Sequence, residues 1–215
     1  MLPPGCPEWD YGSHSDRERL LAAAAADVLD GIVAGNYSVD VFARDTRPIH
    51  KQLFNELTPV GHEYYAGTYR GSHQRCLRNY NVGIAGDDSV GTQAAMVFTE
   101  ITKFGTAVVT ATESIHIALE SASPLIDPTD RAIAVVRVAC DAIVHFLTIH
   151  PFADGNGHTA RALLWIILFQ FGYKPDKWTI EPRPLQTYGD LIAKHRRRDT
   201  EPLEQYVLSC ISPST

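Results

Sequence analysis

The feature that most constrains the fold is a long run of apolar residues that follows Asp127-Pro128. Aspartate accepts hydrogen bonds from the free N–H groups of a first helical turn, and proline suits the next position because it has no N–H to satisfy. The helical spacing of the run predicts a helix that ends near Ile149. The buried side of this helix is predicted to carry Ile133, Val136, Cys140, Val144 and Leu147.

Helical spacing also dominates the rest of the sequence. The pattern Ser15-x-x-Glu18 resembles a capping box that opens an Ala- and Leu-rich helix ending near Ala34. Between Gly61 and Gly91, β-type residues bounded by turn signals predict a short hairpin. The fold class is therefore mostly α, a helical bundle with a short β-hairpin, and a length of 215 residues suits one compact unit. Further helices are predicted over residues 47–57, 92–109, 112–122, 156–172, 185–197 and 201–211.

Composition describes an ordinary globular protein that is not expected to bind nucleic acid or membranes. Apolar residues make up 45% and charged residues 20% of the chain, and the formal net charge is −6. The dense basic run at 194–198 is followed directly by Asp199 and Glu201, which is typical of a solvated helix face. The apolar stretch at 162–169 is too short to cross a bilayer and predicts a core helix.

The cysteines and the N-terminal residues predict a cytoplasmic protein. The four cysteines lie far apart and form no CxxC pair, so neither a zinc site nor a disulfide framework is predicted. Reduced thiols are typical of intracellular proteins. Residues 1–7 lack the basic and then apolar order of a signal peptide. The cysteines are Cys6, Cys76, Cys140 and Cys210.

The loop between the two most apolar predicted helices has the residue types of a phosphate-binding site. It reads HPFADGNGHTAR from His150 to Arg161. Gly155 and Gly157 let a ligand approach the backbone at the start of a helix, where free N–H groups bind anions. Arg161 lies one turn beyond Gly157 on the same face, and its planar guanidinium suits phosphate. Asp154 is placed to hold a divalent cation, since magnesium is commonly bound by one or two carboxylates and phosphate oxygens.

His150 supplies a base that titrates near neutral pH, opposite the predicted anion site. Its place at a helix end favours the protonated ring, which works against a free base unless a neighbouring contact offsets it. Each residue alone has a commoner structural role: a histidine as a helix cap, GNG as a turn, Asp154 as an N-cap. The hypothesis of a catalytic site depends on their occurrence together within twelve residues. Phe152 is expected to anchor the loop to the core.

The same segment resembles the signature of the Fic (Fido) family, HxFx(D/E)GNGRxxR, at every specified position except one. The resemblance extends to the family's opening helix in residues 49–54, to the AGxxR turn in 66–70 and to the closing helices in 188–203. It therefore predicts that residues 48–212 form a Fic domain and that residues 1–47 form an N-terminal helical extension.

The resemblance implies a helical fold with a β-hairpin flap over the active site, and the magnesium-dependent transfer of AMP from ATP to a Ser, Thr or Tyr hydroxyl of a protein. By position, His150 would be the general base and Asp154 the magnesium ligand. The residues that would hold the nucleotide are Gly155, Asn156, Gly157, His158, Arg161 and Tyr188, the last as a wall of the base pocket. The flap residues that would dock an extended target segment are Asn81, Val82, Gly83 and Ile84.

His158 stands where the family signature has its first arginine. A permanent cation is replaced by a ring that can be neutral, although a bound triphosphate would favour the charged form. The substitution leaves alternatives open. In the first alternative, the chain is a tolerated variant of the ATP-dependent enzyme. In the second, it is a Fic-fold enzyme that transfers UMP, phosphocholine or phosphate. In the third, it is a catalytically weak nucleotide-binding or interaction module.

Many Fic proteins carry an inhibitory helix with the pattern Ser/Thr-x-x-x-Glu-Gly/Asn, whose glutamate pairs with the second arginine. Thr200-x-x-x-Glu204 matches it only in part, because Gln205 follows. The partial match favours an ordinary helix cap with a surface acid. Two modes of regulation therefore stay open: inhibition by a separate partner protein, or regulation through a feature that the sequence does not reveal.

Overall fold

The computed structural model describes residues 3–83, 87–122, 127–184 and 187–213. Within these residues the prediction of a mostly α fold is confirmed. The helices are α1 (Arg17–Val33), α2 (Val39–Arg44), α3 (Arg47–Phe54), α4 (Val97–Ala122), α5 (Pro128–Ile149), α6 (Asn156–Gln170), α7 (Tyr188–Arg196) and α8 (Glu201–Cys210). A small antiparallel sheet joins β1 (Tyr173–Lys174) to β2 (Ser212–Pro213).

The two helices that flank the GNG loop form the centre of the core. The side chain of Asp127 caps α5, because it accepts a hydrogen bond of 2.7 Å from the N–H of Thr129. α5 packs against α4, α6 and α8. Four of the five residues predicted on its buried side are buried, and Ile133 is half-buried. α6 is covered almost all round, since twelve of its 15 residues are buried.

α5 is long and apolar enough to cross a membrane by length and composition alone. In the structure it lies at the centre of the helical bundle, and 56% of its most apolar stretch is buried against the rest of the chain. The protein core therefore accounts for its composition.

α4 is one continuous helix, whereas the sequence predicted two helices over 92–109 and 112–122. Gly105 lowers the helix propensity of this region, yet it lies inside the helix. The reason is the close crossing of α2, since a Cβ at Gly105 would lie 2.7 Å from the carbonyl oxygen of Ala43. Packing between the two helices outweighs the propensity of the single residue.

The strands predicted between residues 61 and 91 are wrong for the part of this stretch that the structure describes. Residues 61–83 form turns and a short 3-10 helix without strands, Asp87 is a single bridge residue followed by a turn, and Ile84 lies outside the described residues. One backbone carbonyl group of this stretch bonds to a buried side chain: the guanidinium of Arg70 donates to the carbonyl oxygen of Tyr80 at 2.9 Å.

Cys6 and Cys76 form a disulfide, so the prediction of reduced cysteines is wrong for this pair. No spacing rule detects a bond across 70 residues, because only the tertiary fold brings the two α-carbons to 5.4 Å. Cys140 and Cys210 are free and buried. The bond ties residues 3–13, here called the N-terminal strap, to the turn region. The cytoplasmic location, which rested partly on reduced thiols, stays a prediction without that support.

Candidate functional site

A cavity of about 530 Å³ lies between the end of α5, the start of α6 and α7. A volume of this size is typical of small-ligand sites. The predicted site residues that line it are His150, Asp154, Gly155, Asn156, Gly157, His158, Arg161 and Tyr188. Further lining residues, which the sequence did not indicate, include Tyr11, Asp87, Arg183 and Arg196.

His150 ends α5 in a left-handed backbone conformation with a φ of 54°. Its Nδ1 lies 3.0 Å from the carbonyl oxygen of Leu147, and a carbonyl acceptor requires the proton on Nδ1. Nε2 has no hydrogen-bond partner among the described residues, so its lone pair is free. Burial lowers the pKa of His150, and the charges of Arg70 and Arg196 lower it further. These effects outweigh the tendency of the helix end to stabilise the protonated ring, so the ring is a neutral base at neutral pH.

Arg70 holds the backbone behind His150. It is 1% exposed, and its Nη2 donates to the carbonyl oxygens of Ile149 and His150 at 3.2 and 2.6 Å. Another hydrogen bond, of 3.0 Å, reaches the carbonyl oxygen of Thr92. Burial lowers the pKa of Arg70 to about 10, which leaves it charged at neutral pH. A buried cation thus fixes the unusual backbone conformation at the end of α5.

Both carboxylate oxygens of Asp154 accept backbone hydrogen bonds. Oδ1 accepts from the N–H of Gly155 at 2.7 Å, and Oδ2 accepts from the N–H of Tyr11 at 3.2 Å. Burial raises the pKa of Asp154 to about 6, although these two bonds lower it. Nδ1 of the buried His50 accepts from Gly67 at 2.9 Å, so its Nε2–H donates to the carbonyl oxygen of Asp154, also at 2.9 Å. Asp154 is therefore held in place from three sides.

The start of α6 presents free N–H groups, because no side chain caps it. Gly155 has a φ of 77°, and a Cβ there would lie 2.4 Å from the ring of Phe54, so glycine is required. The side chain of Asn156 accepts from the N–H of Phe152 at 2.9 Å and donates to its carbonyl oxygen at 3.0 Å. Asn156 therefore fixes the loop with its side chain, and only its backbone N–H is left for a ligand.

Glu181 lies between the two positions that the family signature fills with arginine. Its Oε2 is 2.6 Å from Nε2 of His158 and 4.0 Å from Nη2 of Arg161. Burial lowers the pKa of His158 to about 4, so at neutral pH the uncharged ring donates its Nε2–H to Glu181. Arg161 is buried and donates from Nε to the carbonyl oxygen of Ile180 at 2.7 Å. The predicted anion site therefore contains a carboxylate of its own.

Tyr188 lies on the cavity wall and is buried. The guanidinium carbon of Arg161 is 5.9 Å from the centre of its ring, within the range of a cation–π contact. The described flap residues, 81–83, are not part of the cavity wall, whereas Asp87 is. Asp87 pairs there with Arg196, the α7 residue whose charge also acts on His150.

Four residues that shape the site were missed as functional residues: Tyr11, His50, Arg70 and Glu181. The signal for two of them was present, because His50 and Arg70 lie in the segments that resemble the Fic opening helix and AGxxR turn. Tyr11 and Glu181 lie outside every quoted motif and reach the site only through tertiary packing.

The sequence profile of the Fic/DOC family matches residues 41–168. This match covers more than half of the chain and includes the whole segment from His150 to Arg161. The chain belongs to the Fic/DOC family. The cavity described above is therefore built around the signature of a Fic domain.

Among Fic relatives, the protein adenylyltransferase Fic of Culex quinquefasciatus is 33% identical over 75 residues, which are 35% of this chain and 15% of that protein. The protein adenylyltransferase fic-1 of Caenorhabditis elegans is 37% identical over 84 residues, 38% of this chain and 14% of that protein. The chain thus matches about a seventh of the length of these curated relatives.

Solved Fic structures share the fold along the whole chain. The BepC protein of Bartonella tribocorum, solved with bound AMPPNP, has a TM-score of 0.63 at 14% identity, covering 100% of this chain and 97% of that one. The N-terminal Fic domain of a Bep effector of Bartonella quintana, solved with bound ADP, has a TM-score of 0.60 at 18% identity, covering 100% and 95%. At these identities the likeness concerns the fold.

The partial inhibitory pattern of this Fic chain does not reach the cavity. Oε2 of Glu204 lies 3.1 Å from Nε of Arg137 on α5, and Glu204 does not line the cavity. The acid next to the second signature arginine, Arg161, is Glu181.

Proposed function

We propose that the chain is a Fic-type protein adenylyltransferase, which moves AMP from ATP to a Ser, Thr or Tyr hydroxyl of another protein. The observation that carries the proposal is the single cavity that joins the free Nε2 of His150 to the uncapped start of α6, Arg161 and Asp154. A base and an anion site in one cavity are the requirements of a nucleotide transfer. The acceptor residue type rests on the family resemblance alone.

In this proposal His150 takes the proton of the acceptor hydroxyl at Nε2. The hydroxyl oxygen forms a bond to the α-phosphorus of ATP, and the bond from that phosphorus to the pyrophosphate oxygen breaks. The N–H groups of Asn156 and Gly157 would hold phosphate oxygens beside Gly155, whose own N–H donates to Asp154. Arg161 would contact the outer phosphates, and Tyr188 would form the wall of the base pocket. Positioning and charge neutralisation carry most of the barrier reduction in such transfers.

The residues present fit a magnesium ion that is bound mainly by the nucleotide. Asp154 supplies one carboxylate at the cavity, and no group of three or more His, Cys, Asp or Glu ligands occurs in the described part of the chain. Magnesium commonly takes one or two carboxylates together with phosphate oxygens and water. When bound, the ion would neutralise phosphate charge.

The test is incubation of the protein with α-labelled ATP, magnesium and a cell lysate, in parallel with labelled UTP, GTP and CTP. We expect label from ATP on protein bands and its loss in His150→Ala, with mass spectrometry identifying AMP on the modified residue. Label from another nucleotide alone would contradict ATP as donor. Absence of label from all four, despite measurable ATP binding, would contradict the enzymatic proposal.

Glu181 favours two alternatives to ATP-dependent transfer. Its carboxylate lies against His158 and Arg161, where outer phosphates would bind, and like charges repel there. A donor with fewer outer charges, or a nucleotide-binding module of low activity, is compatible with this arrangement. The comparison of four labelled triphosphates separates the module from the main proposal, because a module binds nucleotide without labelling protein.

A further inference from the structure

We propose that the N-terminal strap is a wall of the nucleotide site, and that Tyr11 is a residue that positions the bound nucleotide. The inference rests on the proposed function, because it assigns a nucleotide to the cavity. The strap lies before residues 41–168, the part of the chain that matches the Fic/DOC profile.

Tyr11 reaches two of the predicted site residues at once. Its backbone N–H donates to Oδ2 of Asp154 at 3.2 Å, and its hydroxyl lies 3.5 Å from Nδ1 of His158. The ring packs on Phe54, with centres 5.0 Å apart, and meets the edge of His158 at 5.5 Å. Tyr11 therefore connects the predicted magnesium ligand to the histidine that replaces the signature arginine.

The strap is anchored directly before Tyr11. Trp9 is 4% exposed and donates from its indole nitrogen to the carbonyl oxygen of Leu57 at 2.9 Å. Its ring stacks on Tyr65 at 5.7 Å, and the hydroxyl of Tyr65 donates to the carbonyl oxygen of Pro7 at 2.8 Å. The disulfide between Cys6 and Cys76 attaches the strap covalently on the N-terminal side of Pro7. Tyr11 is thus held by packing and by a covalent bond.

The side chain of Tyr11 lines the cavity and does not fill it. With its side chain in place, the cavity keeps a volume of about 530 Å³, which is enough for a small ligand. The neutral ring of His158 donates its Nε2–H to Glu181, so its Nδ1 can only accept, and the phenol of Tyr11 is the donor beside it. At 3.5 Å this contact is long, and we expect the phenol O–H to turn from Nδ1 to a ligand oxygen when a nucleotide binds.

The first experiment measures binding of a non-hydrolysable ATP analogue with magnesium by calorimetry. Because Tyr11→Ala removes one hydrogen-bonding side chain, we expect it to bind the analogue about three- to tenfold more weakly than the wild type. Tyr11→Phe should bind it about two- to threefold more weakly. Ser13→Ala is the control, because Ser13 lies on the strap but bonds only to the backbone of Asp10. Its affinity should equal that of the wild type.

A matched pair of variants isolates the backbone N–H. Tyr11→Pro and Tyr11→Ala both lack the ring, but only proline also lacks the N–H that Asp154 accepts. Proline fits there because residue 11 begins a 3-10 turn and Asp10 has the extended backbone, φ −132° and ψ 95°, that precedes proline. We expect Tyr11→Pro to bind magnesium–nucleotide more weakly than Tyr11→Ala.

The second experiment adds dithiothreitol, with free thiols counted to show that the disulfide has opened. Reduction should weaken nucleotide binding by the wild type about threefold or more, since a freed strap loses its ordering. Cys6→Ser should bind like the reduced wild type and should not respond to dithiothreitol.

The outcomes separate the two proposals. If the wild type is folded but binds no nucleotide, the proposed function is wrong. A wild type that binds, with equal or tighter binding after reduction and in Tyr11→Ala, overturns the role of the strap. If Tyr11→Ala does not fold by circular dichroism, Tyr11→Phe, which removes one oxygen atom, decides the question.

Discussion

The imidazole of His150 illustrates how burial sets the chemistry of a single residue. Its pKa lies below the ordinary value of 6.5, chiefly because burial disfavours the charged ring. The base form is therefore present above this lowered pKa and is lost as the pH falls through it. We expect kcat/KM for AMP transfer to be flat between about pH 7 and 8 and to fall on the acid side with an apparent pKa below 6.5.

A pH–rate profile of the wild type and of His158→Gln tests whether His158 contributes to the acid limb, on which Asp154, with a pKa of about 6, also titrates. The pKa of His158 is about 4 in the ligand-free protein, so its replacement should leave an acid limb near His150's value unchanged. An acid limb with an apparent pKa above 6.5, or an acid limb that disappears in His158→Gln, would contradict the role given to His150.

Glu181 is the acidic residue whose removal should tighten nucleotide binding. Glu181→Gln keeps a hydrogen-bond acceptor for His158 and removes the negative charge near Arg161. Glu181 is partly exposed, so solvent screens its repulsion of phosphate. We therefore expect Glu181→Gln to bind the ATP analogue about three- to thirtyfold more tightly than the wild type, as measured by calorimetry.

Glu113→Gln is the control for net charge, because Glu113 is exposed on α4 and does not line the cavity. It should leave the affinity unchanged. If Glu181→Gln binds the analogue no better than the wild type, the carboxylate does not oppose phosphate.

At the scale of elements, the loop between α5 and α6 depends on one glycine. Gly155→Ala would place a Cβ in a left-handed backbone conformation and 2.4 Å from the ring of Phe54. Backbone strain of about 1 kcal/mol and overpacking of about 1–3 kcal/mol should together lower the free energy of unfolding by about 2–4 kcal/mol. Urea unfolding measures this loss.

Gly35 offers a matched control after the end of α1. Its φ of 75° is similar, but a Cβ there would meet nothing within 4 Å. Gly35→Ala should therefore cost only the backbone strain, about 1 kcal/mol. Equal costs for the two variants would show that the contact of Gly155 with Phe54 is unimportant.

The start and end of α5 were predicted well from local signals, but the capping box predicted at Ser15 is wrong, because the residue that precedes α1 is Asp16 and its side chain makes no cap hydrogen bond. Asp127 caps α5 as its sequence predicts, and the helix ends at Ile149. By contrast, α4 continues through Gly105 because α2 crosses it there, and no local pattern reports that crossing. The turn region is similar, since Arg70 inside it donates to the distant carbonyl oxygens of Ile149 and His150, and no local pattern reports these contacts.

At the scale of the whole molecule, the disulfide should stabilise the fold through the unfolded chain. Cys6 and Cys76 are 70 residues apart, and closing so long a loop contributes about 2–4 kcal/mol. We expect thermal unfolding of the wild type at a lower temperature in dithiothreitol. Cys6→Ser should unfold at that lower temperature with or without the reductant, and a wild-type Tm unchanged after verified reduction would contradict the prediction.

The sequence by itself determined the helical class, the central pair α5 and α6 and the order of residues from His150 to Arg161. These features depend on neighbours in the chain: apolar spacing, a capping pair and a glycine-bounded helix start. The structure adds that these residues line one cavity.

Only the tertiary structure decided which distant residues complete the site. The strap reaches Asp154 across 143 positions, Arg70 reaches His150 across 80, and Glu181 reaches His158 across 23. The protonation of His150 and His158 also depends on burial, which is a property of the packed molecule. Such contacts have no local pattern, because they join residues far apart in the chain and form only where the native contacts of the folded molecule support one another.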